Sequence, residues 1–384
     1  MHVLWINNKA SRGGGAEQYI YNTVKHLNKK GIKSSLLYDP NIEVENEFLD
    51  IFNSAFPLLC IKEQIQDINP DLLYIHQLHD YASYEEIIKS KVKKIRFYHD
   101  HKLFCLREHK YKTLSKKTCT CKTGLDCYSC LGFINKSKNG FKIASLGKLQ
   151  KLQDINKRLD LFIVASAYMK EHLKLHHFEK SKIRINPLYA NDNIEYKNSE
   201  KSNKSKTLLF VGQLITGKGI DILLKAMKNI DKSYSLKIIG TGAQEEFLKH
   251  YSKKLKLEER VEFIGQLEHE KLSFYYQRAY CLIVPSRIPE TFNLTGVEAL
   301  KAGLPVIAAN VGAINEWLIH GSNGFLFESN NAQDLALKVN DLISNPSLQK
   351  IFCSNAFKST IHNFKSQTHI NNLIDIFNQK IQGV

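Results

Sequence analysis

Two glutamates, Glu290 and Glu298, bracket the stretch of this chain best suited to chemistry, with Thr291-Phe-Asn-Leu-Thr-Gly-Val297 between them. Apolar runs on either side, Cys281–Val284 ended by Pro285 and Pro305–Ala309, read as buried strands. Leu294–Ala302 has helical character, with Asn293 suited to cap its start and Gly303 followed by Pro305 to end it. At such a start the N–H groups of Leu294, Thr295 and Gly296 lack intrahelical acceptors, so they offer donors and a positive dipole end to an anion. A phosphate needs donors rather than carboxylates, so the two glutamates suit hydroxyls beside the anion. A sugar carried on a diphosphate has that profile. A capping acid at Glu290 and a solvated helix acid at Glu298 are the plain alternative, and residue types alone leave both open.

Other candidates stand at the ends of apolar runs. Lys218, in Gly212-Gln-Leu-Ile-Thr-Gly-Lys-Gly219, is placed to neutralise a departing diphosphate; a solvated turn lysine is the alternative. His99, in Tyr98-His-Asp-His101, could hydrogen-bond a hydroxyl or stabilise charge, with Asp100 orienting a neighbour, although histidines at strand ends are commonly structural. Gly13-Gly-Gly15 follows the first apolar run and allows close backbone approach, but lacks the dinucleotide fingerprint. Gly240-Thr-Gly242 closes another run. Of eight cysteines, Cys60, Cys281 and Cys353 read as core, while Cys105 stands near a cluster of Cys119, Cys121, Cys127 and Cys130. In a reducing compartment those four thiols suggest a tetrahedral Zn²⁺ site that folds a polar insertion, with an iron–sulfur cluster or redox switch as alternatives.

The spacing Glu290-x7-Glu298 inside Pro-Glu-x-Phe…Glu-Ala-Leu-x-Ala-Gly-Leu-Pro-Val-Ile-Ala resembles the signature of retaining glycosyltransferases of family 4, among the group 1 glycosyl transferases. The Gly-Gly-Ala-Glu opening at Gly14, the His99-Asp100 pair and the Gly-x-Leu…Lys-Gly segment at Gly212 are similar to further motifs of that family. The resemblance implies the two-domain GT-B fold. It places Glu290 and His99 near the donor sugar, Glu298 at the nucleotide ribose, and Lys218 with the Asn293, Leu294 and Thr295 backbone at the diphosphate. Gly14, Gly15, Gln213 and Gly242 would line the donor site. Gln213 stands where the family has Arg, and Arg287 or Arg12 is then the candidate replacement cation. Asn293 stands where the family has Gly. A loosely matched Cys105-Leu-Arg107 recurs beside Cys-rich insertions in some members.

The elements that must position these residues alternate. His2–Ile6, Ser34–Tyr38, Asp71–Ile75, Val92–Tyr98 and Leu161–Ala165 read as strands of a first doubly wound parallel sheet. Thr207–Val211, Ser235–Ile239, Val261–Ile264, Cys281–Val284 and Pro305–Ala309 read as strands of a second. The expected architecture is α/β, with two Rossmann-like domains facing a cleft: residues 1–200 binding acceptor, 201–365 binding the nucleotide sugar, and 366–384 a helix returning to the first domain. The polar stretch 191–206 marks the boundary. A basic, Cys-rich insertion spans about 101–158, and Phe141–Leu152 reads as a basic amphipathic helix that lies on an anionic membrane or packs on the sheet.

Composition narrows the class. At 384 residues, 43% hydrophobic and 24% charged, the chain is globular and long enough for two cores. No apolar run reaches spanning length, and the opening reads as a strand rather than a signal peptide, so the expected location is cytoplasmic or peripheral on the inner membrane face. The net charge of +16 is concentrated: residues 89–158 hold 19 Lys or Arg against 4 Asp or Glu. An anionic membrane surface, a pyrophosphate-linked acceptor or nucleic acid would meet that charge, as would solvent alone. A zinc-stabilised nucleic-acid-binding protein leaves the paired glutamates unexplained, and an NAD-dependent oxidoreductase lacks its fingerprint. An epimerase or phosphorylase on the same fold is the nearest enzymatic alternative. The partners expected are a nucleotide-sugar donor, UDP by default, and a glycan or lipid-linked acceptor, without nucleic acid. With no Asp-x-Asp motif placed to bind a metal diphosphate, catalysis is expected to need no cofactor.

Overall fold

The computed structural model describes residues 1–112, 115–137, 140–194, 196 and 205–383. The central apolar runs, such as Leu72–Ile75, Cys281–Val284 and Val306–Ala309, become strands buried along their whole length, as a parallel sheet covered by helices on both faces provides. The first sheet contains β1 (His2–Ile6), β2 (Lys33–Tyr38), β3 (Ser54–Pro57), β4 (Leu72–Ile75) and β5 (Lys93–Tyr98). After β6 (Ile134–Ser137) and β7 (Gly140–Ile143), which pair with each other as an antiparallel hairpin, it is completed by β8 (Leu161–Val164) and β9 (Ile183–Ile185). Its order is β3-β2-β1-β4-β5-β8-β9, parallel throughout. Its core joins Leu4, Ile6, Leu73, Ile75, Phe162 and Val164 to the helices around them.

The second sheet comprises β10 (Thr207–Val211), β11 (Ser235–Ile239), β12 (Val261–Gly265), β13 (Cys281–Val284), β14 (Val306–Ala309) and β15 (Gly324–Phe327), in the parallel order β12-β11-β10-β13-β14-β15. In both sheets the strand order reverses beside the first strand, β1 or β10. Ligands of such sheets bind at the carboxyl ends near that point.

The chain divides into two compact units, 1–108 with 121–188 and 367–384, and 109–120 with 189–366. The division differs from boundaries at 200 and 365 in beginning the second unit's main segment at residue 189 and in assigning 109–120 to that unit. Most of the expected linker, residues 195 and 197–204, lies outside the described residues. Helix Ser366–Gln382 fills the first unit: Phe377 meets the Tyr74 ring at 5.0 Å, and His369 Nε2 lies 3.0 Å from the Tyr19 hydroxyl. Among the described residues no helix is long and apolar enough to cross a membrane.

One expected element is corrected. The helix read at Phe141–Leu152 instead runs Leu146–Lys157, with Ser145 as N-cap, and Gly140–Ile143 is a strand of the hairpin. Gly147 stands in its first turn, and its buried residues are Gln153, Ile155 and Asn156 near the far end. Cys60 is likewise only half-buried, preceding the helix Ile61–Ile68, whereas Cys281 and Cys353 are core.

Candidate active site

In the second unit, the loop after β10 and the loop after β13 are locked together. The Gly217 carbonyl accepts the N–H groups of Arg287 (2.8 Å) and Ile288 (3.2 Å). That docking brings Lys218 Nζ to 2.8 and 3.1 Å from the two carboxylate oxygens of Glu290. The Ser286 hydroxyl donates a short hydrogen bond to the same carboxylate. Glu290 is only 8% exposed, so this charge pair is shielded from the screening that weakens surface pairs. Its backbone is fixed from behind: Ala313 N–H donates to the Glu290 carbonyl at 2.8 Å, and a Cβ on Gly312 (φ +61°) would sit 2.2 Å from that oxygen. Glu290 therefore acts as an ion-pair partner and not as a cap.

The helix that follows is Leu294–Lys301, and Asn293 is its N-cap. The Asn293 Oδ1 accepts Gly296 N–H at 2.9 Å and the Thr295 hydroxyl at 3.1 Å, leaving the Leu294 and Thr295 N–H groups of the first turn without an acceptor among the described residues. Asn293 has φ +75°, a region that suits glycine and that asparagine tolerates among L-residues. Its presence in place of the family's glycine thus keeps the backbone turn and adds a cap. Gly296 is required for a different reason: a Cβ there would lie 2.2 Å from the Trp317 ring.

Glu298, one turn on, faces inward. It is 1% exposed, which overturns the solvated-acid alternative. His269 Nε2 lies 2.9 Å from Glu298 Oε1, the Tyr276 hydroxyl donates to Oε2 at 3.4 Å, and Asn191 Nδ2 stands 2.6 Å from His269 Nδ1. Burial alone would lower the His269 pKa, but the Glu298 carboxylate overrides it and leaves the net shift upward. Neither His269 nor Tyr276 was legible as a partner, because both lie outside the motif.

In the first unit, His99 follows β5 and His76 follows β4, so parallel pairing of the two strands brings the rings together. His76 Nδ1 lies 2.8 Å from His99 Nε2. His76 also stacks on Trp5, with centroids 5.1 Å apart. Burial, with Arg96 nearby, lowers the His99 pKa to about 3, and burial likewise holds His76 well below its ordinary value. Both rings are neutral near pH 7, so His99 is a hydrogen-bonding group there and not a cation. The signal that would have found His76 is its place at a strand's carboxyl end. Asp100 accepts the Lys102 N–H at 2.9 Å, and His101 is buried against Tyr168 and His172. Gly14 and Gly15 open the helix Gly15–Lys29, beside a buried Glu17 whose pKa burial raises.

Other expected residues are not gathered in the same way. Arg287 cannot replace the missing family arginine, because its fork is spent: Nη1 and Nη2 bind Asp221 at 2.6 Å each, Nη1 also reaches the Thr216 carbonyl at 2.8 Å, and Nε donates to Asn330. Arg12 pairs with Glu47 at 2.6 Å. Gln213 is exposed on the loop after β10. Gly242 belongs to the turn after β11, where Leu214 N–H donates to the Thr241 carbonyl at 2.9 Å. Cys105, Cys119, Cys121, Cys127 and Cys130 are each half-buried. Among the described residues no group of three or more His, Cys, Asp or Glu side chains is arranged to hold a metal ion, and Cys119 falls in the second unit while Cys121, Cys127 and Cys130 fall in the first. A Zn²⁺ site would require those thiols to converge. A feature that sequence did not signal is a cavity of about 560 Å³ at the carboxyl ends of β14 and β15, lined by Lys117, Thr118, Asn310, Glu328, Ser329 and Asn330 among others.

Comparison with known proteins bears on the family resemblance and the fold. Residues 191–359 match the family described as Glycosyl transferases group 1. An uncharacterized glycosyltransferase of Haemophilus influenzae is 38% identical over 156 residues, 40% of this chain and 43% of that protein, so the match spans less than half of the relative's length. Among solved structures, the sucrose-phosphate synthase of Thermosynechococcus elongatus superposes with a TM-score of 0.77 at 19% identity, covering 100% of both chains. Anabaena HepE, solved in complex with UDP-glucose, superposes with a TM-score of 0.76 at 17% identity, over 99% of this chain and 100% of that one. These superpositions establish the fold, the two-sheet α/β architecture of GT-B glycosyltransferases.

Proposed function

We propose that this chain is a retaining glycosyltransferase that moves a sugar from a nucleotide-sugar donor, a UDP-sugar foremost, to a hydroxyl of a glycan or lipid-linked acceptor in surface polysaccharide synthesis. The observation that carries the reading is the shielded Lys218–Glu290 pair beside a helix start with open backbone donors. Donor diphosphate would draw Lys218 from Glu290 and rest on the Leu294 and Thr295 amides, while Glu290 accepts hydrogen bonds from sugar hydroxyls. The acceptor hydroxyl then attacks the anomeric carbon from the face the diphosphate leaves. The carbon–oxygen bond to phosphate breaks with its electron pair going to the diphosphate, and the acceptor proton passes to that phosphate oxygen. Lys218 and the two amides offset the developing charge, so the step needs no metal in this reading. Glu298 would reach ribose hydroxyls by exchanging its His269 and Tyr276 partners. UDP is favoured because the similar fold of HepE was solved with UDP-glucose. Structural Zn²⁺ on the four cysteines remains a separate proposal, tested by metal content of the purified protein.

The test is a thermal-shift panel of UDP, GDP and ADP sugars followed by transfer assays. A UDP-sugar should raise the unfolding temperature, and Lys218→Ala should cost roughly 10²-fold or more in kcat, the usual loss for one preorganised donor at a developing anion. Silence from every nucleotide sugar would overturn the proposal.

A further inference from the structure

Between Thr123 and Ser145 the first unit carries a segment that is fixed at Thr123 and exposes apolar side chains. The buried Thr123 donates its N–H to His176 Nε2 at 3.0 Å and its hydroxyl to the Phe104 carbonyl at 2.8 Å. Gln153 Nε2 braces it, donating to Thr123 Oγ1 at 3.0 Å and to the Leu103 carbonyl at 2.7 Å. Beyond Thr123 come one helical turn, Asp126–Ser129, and the β6–β7 hairpin. Backbone bonds tie the two: Gly132 N–H to the Cys127 carbonyl at 3.0 Å, Ile134 N–H to that of Leu131 at 3.1 Å, and Ala144 N–H to that of Phe133 at 2.7 Å. The Tyr128 and Phe133 rings pack at 5.4 Å.

On this frame large apolar side chains face water. Leu125 is 82% exposed and Ile143 76%, and Tyr128 and Leu131 are exposed too. Several such groups on one short, braced segment mark an interaction surface, whereas single exposed leucines elsewhere need no explanation. Charge identifies the partner. Residues 121–151 contain six lysines against one aspartate, and Lys122, Lys148 and Lys151 are exposed. Exposed apolar side chains with exposed lysines in the adjoining chain complement the edge of an anionic bilayer: leucine and isoleucine enter the acyl boundary, tyrosine suits the headgroup level, and lysines meet lipid phosphates.

We propose that the described residues 123–137 and 140–145 dock this protein on an anionic lipid surface through Leu125, Tyr128, Leu131 and Ile143. The surface shares Ile143, Lys148 and Lys151 with the helix that sequence periodicity had put forward but takes its other apolar groups from the segment before it, and it does not depend on sugar transfer, since it can be measured without nucleotide sugar. Flotation of the full chain with phosphatidylcholine vesicles, with and without phosphatidylglycerol, tests it. Binding is expected only with phosphatidylglycerol and should weaken with salt. The double variant Leu125→Ser/Ile143→Ser should lower partitioning about tenfold or more, and Lys122→Glu/Lys148→Glu/Lys151→Glu should abolish it, both with unchanged unfolding temperature. Failure to float with phosphatidylglycerol, or flotation indifferent to both variants, overturns the proposal. So does an oligomer in sedimentation that only the Leu125→Ser/Ile143→Ser variant dissolves without effect on vesicles, because the occupant is then a second copy.

Discussion

Individual residues in the second unit are held by neighbours that leave little room for change. Trp317 is pinned by its Nε1–H, which donates to the Phe292 carbonyl at 2.6 Å, so it cannot retreat from a side chain added at position 296. Gly296→Ala should therefore destabilise the protein by roughly 1–3 kcal/mol through overpacking, measurable as a lowered urea midpoint. Glu290→Gln keeps the shape but removes the charge that pairs with Lys218. It should weaken transfer more than it weakens stability, checked by comparing kcat with the unfolding temperature. At this scale local spacing disclosed the Asn293 cap and the helix it opens, whereas Glu290, Glu298 and Lys218 were singled out by resemblance to a family motif. It did not disclose that Arg287 is consumed by Asp221, or that Glu298 is enclosed by His269 and Tyr276. Those pairings join residues far apart in the chain, and nothing in a local pattern encodes them.

Among the elements, the parallel pairing of β4 with β5 and the return of helix Ser366–Gln382 enclose several neutral histidines in the first unit. Burial lowers His79 and His99 to about 3 and His369 to about 4, against an ordinary value of 6.5. The unfolded chain binds those protons more readily, so the stability these rings contribute is complete above about pH 6.5 and is lost as pH falls towards 4. The two tryptophans fall one in each unit, which makes the effect measurable: with Trp317→Phe, fluorescence of Trp5 should report an unfolding midpoint that drops between about pH 6.5 and pH 4.5. A flat profile over that range would count against the buried neutral rings. The strands with continuous apolar runs were legible to within a residue or so at each end. Those missed had reasons: β3 ends in Pro57 at a sheet edge, β9 is three residues with a central arginine, and β15 opens on a glycine. The helix shifted from Phe141 to Leu146 shows that an apolar period near a glycine does not fix where a helix begins.

For the whole molecule, the division of the chain matters more than the count of domains. The first unit is assembled from three separate segments, and its last piece comes from residues 367–384. Ile370, Leu373 and Phe377 of that piece are buried. Phe377→Ala should cost about 3–5 kcal/mol. Truncation after Ser366 should leave the first unit without a cooperative transition in fluorescence unfolding, while nucleotide-sugar stabilisation of the second unit persists. Alternation of strands and helices announced two such sheets, but not that 109–120 would join the second, since that segment has no apolar period to read. The order in which the pieces leave a ribosome then has a consequence. The second unit has all its residues once position 366 emerges, whereas the unit whose synthesis began first must wait for the final helix. During that interval its half-built core, with Tyr19 and Tyr74 uncovered, is the part of the nascent chain that chaperones would hold.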